Sequence, residues 1–134
     1  MNDYHKALQQ VNTILNIKDF GIREDIIKEL KLLNIIVHYE LGNEELLPSL
    51  CKSTNRHFEK KGEFTQIEKL LLNFFSNTIL KADTKQEKKN AFVELKKELA
   101  PLLSKKKVYE FDFISWIESK IEGRSFVEDR KSVV

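Results

Sequence analysis

The sequence predicts an all-α fold built from antiparallel helix pairs. Three observations carry that reading. Apolar residues recur at helical spacing along most of the chain, chain breakers are scarce, and the turns between periodic stretches are short. The chain has 134 residues, with 4 Gly and 2 Pro, where an average chain of that length carries roughly 9 Gly and about 7 Pro. An all-β domain needs more turn residues than that, and no segment sustains the period-two alternation of a strand. Hydrophobic residues make up 41% and charged residues 33%, which supplies a core and excludes collagen-like, mucin-like, disulfide-rich and membrane-spanning classes. The length predicts a single domain over 1–134.

Six helices and a short seventh follow in order. The first runs from about Asp3 to Asn16, with Ala7, Leu8, Val11, Ile14 and Leu15 on one face and Asn2 or Asp3 as cap. The second, from about Ile22 to Leu41, carries Ile22, Ile26, Ile27, Leu30, Leu33, Ile36 and Val37, widened by Leu32, Ile35 and Tyr39. Gly42 ends it, because a residue without Cβ takes the left-handed conformation freely. Asn43 is placed to cap the third helix, with Glu44 and Glu45 at its positive end and Pro48 in its first turn. Its apolar face is Leu46, Leu47, Leu50, Cys51 and Phe58, and it stops near Lys60-Lys61-Gly62.

The fourth helix spans about Phe64 to Lys81 around Ile67, Leu70, Leu71, Phe74, Phe75 and Ile79. A capping box, Thr84-x-x-Glu87, opens the fifth, whose face is Phe92, Leu95, Leu99, Leu102 and Leu103. Pro101 lacks the amide hydrogen a helix interior uses, so a kink or an end near Ala100 is expected. The sixth runs from about Val108 to Glu122 with Tyr109, Phe113, Trp116, Ile117 and Ile121 inward, and Gly123 stops it. A second box, Ser125-x-x-Glu128, opens the short seventh.

The helix starts recur. Ile22 to Phe64 is 42 positions and Phe64 to Val108 is 44, a period that fits stacked two-helix repeats. The stretch from Val37 through His38, Tyr39, Gly42 and Asn43 to Leu46 resembles the turn of a tetratricopeptide repeat. Leu47 and Cys51 stand where that family has a small alanine and then an aromatic, and no proline closes the unit near Phe58 to Gly62. The resemblance therefore implies tetratricopeptide-like packing rather than membership. The stretch from Phe111 to Phe126, with Phe113, Trp116, Ile117 and Gly123, is similar to the ending of a group of helical proteins of Bacteroidetes-type bacteria. That likeness implies that a Trp-bearing helix closes a helical-repeat region and that the chain is the C-terminal part of a longer protein. It brings no activity with it.

Lys and Arg total 23 and Asp and Glu 21, a net charge of +2 with a pI near 8.6. Nucleic-acid domains usually concentrate a larger basic excess on one face, and only four basic residues are Arg: Arg23, Arg56, Arg124 and Arg130. One Lys cluster remains, with Lys85, Lys88, Lys89, Lys96 and Lys97 on the fifth helix and Lys105-Lys106-Lys107 after it. Glu87, Glu94 and Glu98 dilute it. It supports the alternative of nucleic-acid binding through that helix. The single cysteine, Cys51, excludes an intrachain disulfide and fits a cytoplasmic setting. Residues 1–6 lack the apolar run of a signal peptide.

No nucleophile elbow, P-loop or dinucleotide fingerprint occurs. His5, His38 and His57 lack the spacing of a zinc helix. The expectation is a non-enzymatic protein–protein interaction module without catalytic residues, cofactor, metal or membrane partner, with self-association as a further outcome of an open helical stack. Five residues are the candidate partner contacts. Tyr39 stands at the first turn, and Arg56 and His57 lie in a basic run with Lys60 and Lys61. Trp116 reads either as a core aromatic or as a binding anchor, and Lys120 lies one turn beyond it.

Overall fold

The structure is a computed structural model that describes residues 3–15, 24–62, 64–105 and 109–123. Six α-helices fill those stretches: α1 (Asp3–Leu15), α2 (Glu24–Glu40), α3 (Leu47–Lys61), α4 (Gln66–Asn73), α5 (Lys85–Lys105) and α6 (Phe113–Glu122). No strand occurs among the described residues, and no helix among them is long and apolar enough to cross a membrane. The expected seventh helix, the cap at Asn2, Arg124 and the start at Ile22 lie outside the described residues. The chain divides into two compact units, Met1–Asn77 and Thr78–Val134, and this boundary falls within the second of the expected sequence periods.

In the first unit α1 packs on α2, α2 on α3 and α3 on α4. The turn after α2 forms because Gly42 takes φ +82°. The Gly42 N–H donates to the Tyr39 carbonyl at 3.1 Å and the Asn43 N–H to that of His38 at 2.9 Å, which satisfies two carbonyls the helix end would leave open. Asn43 does not cap α3. Its side-chain amide donates to His38 Nδ1 at 3.1 Å, a bond that needs the neutral ring. Burial lowers the pKa of His38 and so favours that form. A 3₁₀ turn, Glu44–Leu46, intervenes, and α3 begins at Leu47 with Pro48 in its first turn.

The buried face of α2 keeps Ile36 and Val37 of the expected stripe together with the widening residues Leu32 and Ile35, but not its first turn. Ile26 is 45% exposed, whereas Leu32 and Ile35, expected at the flank, are 2% and 1% exposed. The helix is apolar on too many sides for periodicity to select a face, so its partners select it. An ion pair is buried with that face. Lys28 and Glu68 are both buried, with Lys28 Nζ 3.3 Å from Glu68 Oε1 and 5.0 Å from the centre of the Phe58 ring. Glu68 Oε1 also accepts from the Thr65 N–H at 2.9 Å, while Thr65 Oγ1 accepts from the Glu68 N–H at 3.3 Å. One carboxylate thus completes a capping box on α4 and neutralises a lysine of α2 across α3.

The expected continuous helix from Phe64 to Lys81 is interrupted. After Asn73 the winding opens into a π turn, Phe74–Thr78, and then tightens into a 3₁₀ turn, Ile79–Lys81. A wider turn rotates successive side chains less. Phe74 and Phe75 are both buried, with rings edge to face at 5.1 Å.

The second unit centres on α5 against α6. Phe92, Leu95 and Leu99 meet a face of Phe113, Trp116 and Ile117, with the Phe92 and Trp116 rings edge to face at 5.6 Å. The Thr84 box forms as read: Thr84 Oγ1 accepts from the Glu87 N–H at 3.1 Å and Glu87 Oε1 from the Thr84 N–H at 3.2 Å. Two boundaries differ from the sequence reading. Of the kink or end expected near Ala100, the end does not occur: helix α5 continues through Pro101 to Lys105. Pro101 is exposed, so the carbonyl that loses its amide partner can be hydrated, while Leu99 on the covered side holds the helix. Helix α6 starts at Phe113, because the Asp112 side chain accepts from the Ser115 N–H at 3.0 Å and caps it there. Tyr109 is buried ahead of the helix rather than in it.

Two stability outcomes follow from these contacts. Lys28→Met removes the ammonium from beside the buried Glu68 carboxylate and lowers unfolding free energy by about 3–5 kcal/mol, whereas Lys28→Met with Glu68→Gln recovers most of that loss. Urea denaturation of the two variants checks this, and equal losses would contradict it. Pro101→Ala restores a helical amide and raises stability by roughly 2 kcal/mol, read as a higher midpoint in the same titration.

Candidate functional site

A cleft of about 370 Å³ opens between α3 and α4 in the first unit. Its two walls have the same spacing. Helix α3 contributes Pro48, Cys51, Lys52 and Asn55, and the second wall contributes Lys69, Leu72, Asn73 and Ser76, each set at i, i+3, i+4 and i+7 on one helical face. Phe64, just before the Thr65 cap, closes one side. The floor is apolar: Cys51 is 3% and Leu72 5% exposed. Phe64 stands edge to face on buried Phe58 at 5.7 Å, and the Lys69 ammonium lies 5.4 Å from the Phe64 ring centre. The rim is polar, formed by Lys52, Asn55, Lys69, Asn73 and Ser76, and among the described residues no carboxylate belongs to the lining.

The Cys51 thiol faces this floor as a core group. Burial pushes its pKa up to about 12, so the reactive thiolate is scarce at neutral pH. Nothing in its surroundings reverses that shift into nucleophile activation.

The five expected contact residues do not form the cleft. Tyr39 is half-buried, its ring edge to face with Phe75 at 5.7 Å. Its hydroxyl is pushed up to about 12 by burial, assisted by the charges of Glu40 and Glu44. His57 donates from Nε2 to Glu24 Oε2 at 2.6 Å, and Lys61 Nζ stands 3.9 Å from the other oxygen of Glu24, so this histidine ties α3 to the start of α2. Arg56 is exposed on α3. In the second unit Trp116 is 1% exposed and takes the core position, the first of its two readings, and Lys120 is half-buried on α6.

The Lys-rich face of α5 is partly neutralised. Lys96 Nζ lies 2.9 Å from Glu118 Oε2 and Lys97 Nζ 3.3 Å from Glu94 Oε2; Lys106 and Lys107 lie outside the described residues. Such pairing weakens a phosphate-facing stripe. Among the described residues no three His, Cys, Asp or Glu side chains converge as a metal site would require.

Sequence reading missed Lys52, Asn55, Lys69 and Asn73. The available signal was a polar line beside each apolar stripe, which is the ordinary pattern of an amphipathic helix; only the juxtaposition of two such lines marks a cleft. No protein-family model matches the chain, and no significant relative was found among curated proteins or solved structures.

The raised values of Cys51 and Tyr39 have a consequence at alkaline pH. Both groups hold a proton more tightly folded than unfolded, where their ordinary values are 9.0 and 10.0. Their contribution to stability is therefore complete below pH 9.0 and is lost as pH rises toward about 12. The urea midpoint should fall over that range, and the fall should shrink in Cys51→Ala. Thiolate absorbance of the folded protein rising near pH 9.0 would contradict this assignment.

Proposed function

We propose that the protein is a non-enzymatic interaction module of the cytoplasm, with helix pairs stacked in the tetratricopeptide manner and a partner's peptide held between α3 and α4. The α3–α4 cleft is the observation that carries this reading: it is open, apolar at its floor and polar at its rim, as peptide-binding grooves are. The stacking is supported by the way α4 engages both helices of the preceding pair. It meets α2 through Lys28–Glu68, and Phe64 just before it meets Phe58 of α3. In stacked repeats each unit covers the apolar face that its neighbour leaves open. The lone buried thiol suits a reducing compartment.

The test is selection from a display library of random 12-residue peptides. Asn73→Trp places an indole in the cleft at an exposed position, so the fold is retained. Peptides enriched on the wild-type protein should bind the variant at least about tenfold more weakly by fluorescence polarisation. Failure to enrich any peptide, or equal binding to Asn73→Trp, would overturn the proposal.

A further inference from the structure

Resting on the cleft reading above, we infer that the occupant is an acidic peptide segment, one apolar side chain on the floor and carboxylates against Lys52 and Lys69. The charge of the lining is one-sided. Among the described residues two ammonium groups stand at the rim and no acid does. Elsewhere in this unit Lys28 meets Glu68 and Lys61 meets Glu24, while Lys6, Lys31 and Lys60, which do not line the cleft, have no carboxylate partner among the described residues. Among the described residues neither Lys52 nor Lys69 has such a partner within 4.0 Å. Lys69 is also oriented, because its ammonium lies over the Phe64 ring at 5.4 Å. A carboxylate arriving there meets a positioned cation with less ordering left to do.

The backbone directions of Glu68 and Lys69 make the arrangement specific. Glu68 points inward to Lys28 and is 2% exposed, while its neighbour Lys69 points to solvent at the rim. The negative charge of α4 is thereby consumed inside the unit and the positive one is presented outside. Asn55 and Asn73, one on each wall, offer both donors and acceptors, which suits the amide groups of an extended chain. Nucleic acid fits less well: among the described residues the lining holds no arginine fork, and Phe64 is its one aromatic side chain, already occupied by Phe58 and the Lys69 ammonium. The apolar floor and the volume of about 370 Å³ accommodate one or two side chains, not a helix.

The same random 12-residue library tests this inference with the wild-type protein, Lys52→Glu/Lys69→Glu and Asn73→Trp. Both lysines are exposed, so reversal leaves the core intact; circular dichroism confirms the fold of each variant. The wild type should enrich peptides rich in Asp and Glu around one large apolar residue. Those peptides should lose at least about tenfold in affinity on the charge-reversed protein, and should weaken on the wild type as salt rises. Enrichment of neutral or basic peptides that Asn73→Trp still blocks would overturn the acidic occupant and leave the module reading standing. Enrichment of nothing would overturn both. Light scattering showing a dimer that Asn73→Trp dissociates would assign the cleft to a second copy of the chain and overturn the acidic occupant as well.

Discussion

The buried pair of Lys28 and Glu68 is the constraint on which the first unit depends. Removing two charges from water is costly, and their mutual attraction offsets that cost only when geometry and additional hydrogen bonds satisfy both groups. Here the carboxylate has a second duty. It receives the Thr65 amide as well as the ammonium, so the position of α4 along its axis is tied to the position of α2. A slip of one residue would expose the capping partner or strand the lysine. Phe58 of α3 lies under the ammonium, which places the third helix in the same arrangement. Apolar burial supplies most of the driving force for folding, but it tolerates many registers. The ion pair adds a directional contact to that burial.

The cleft is a product of this arrangement. With Glu68 fixed inward, helical geometry turns Lys69, Asn73 and Ser76 toward the wall of α3 that carries Lys52 and Asn55. The floor residues Cys51 and Leu72 belong to the core and are shared between packing and site. A cleft built on two helices, rather than on loops, keeps its side chains at fixed spacing, which on the proposed reading lowers the conformational cost of accepting a peptide.

The sequence made the helices and their ends readable wherever the determinant is local. Gly42, Gly62 and Gly123 all take positive φ, and Thr84 and Glu87 cap each other as their spacing requires. Local rules failed where a nearby alternative won. Asp112 intercepted the start of α6, the winding opened at the buried Phe74–Phe75 pair after α4, and α5 ran on through an exposed Pro101. The buried pair was not readable at all, since Lys28 and Glu68 are forty positions apart and each looks like a solvated charge on an amphipathic helix. The site was hidden for a related reason. Residue types that stand out alone, such as Trp116 and Tyr39, are large rings and went to the packing, whereas the cleft uses ordinary Lys and Asn residues made notable only by what faces them.

The distribution of the rarest side chains has its own consequence. The only cysteine, Cys51, lies in the first unit and the only tryptophan, Trp116, in the second, and both are buried. The protein therefore carries a native, label-free reporter in each half: thiol exchange senses opening around α3, and indole emission senses opening around α6. Whether the halves melt as one cooperative body or in sequence is encoded in the agreement of two signals that evolution, not an engineer, put in place.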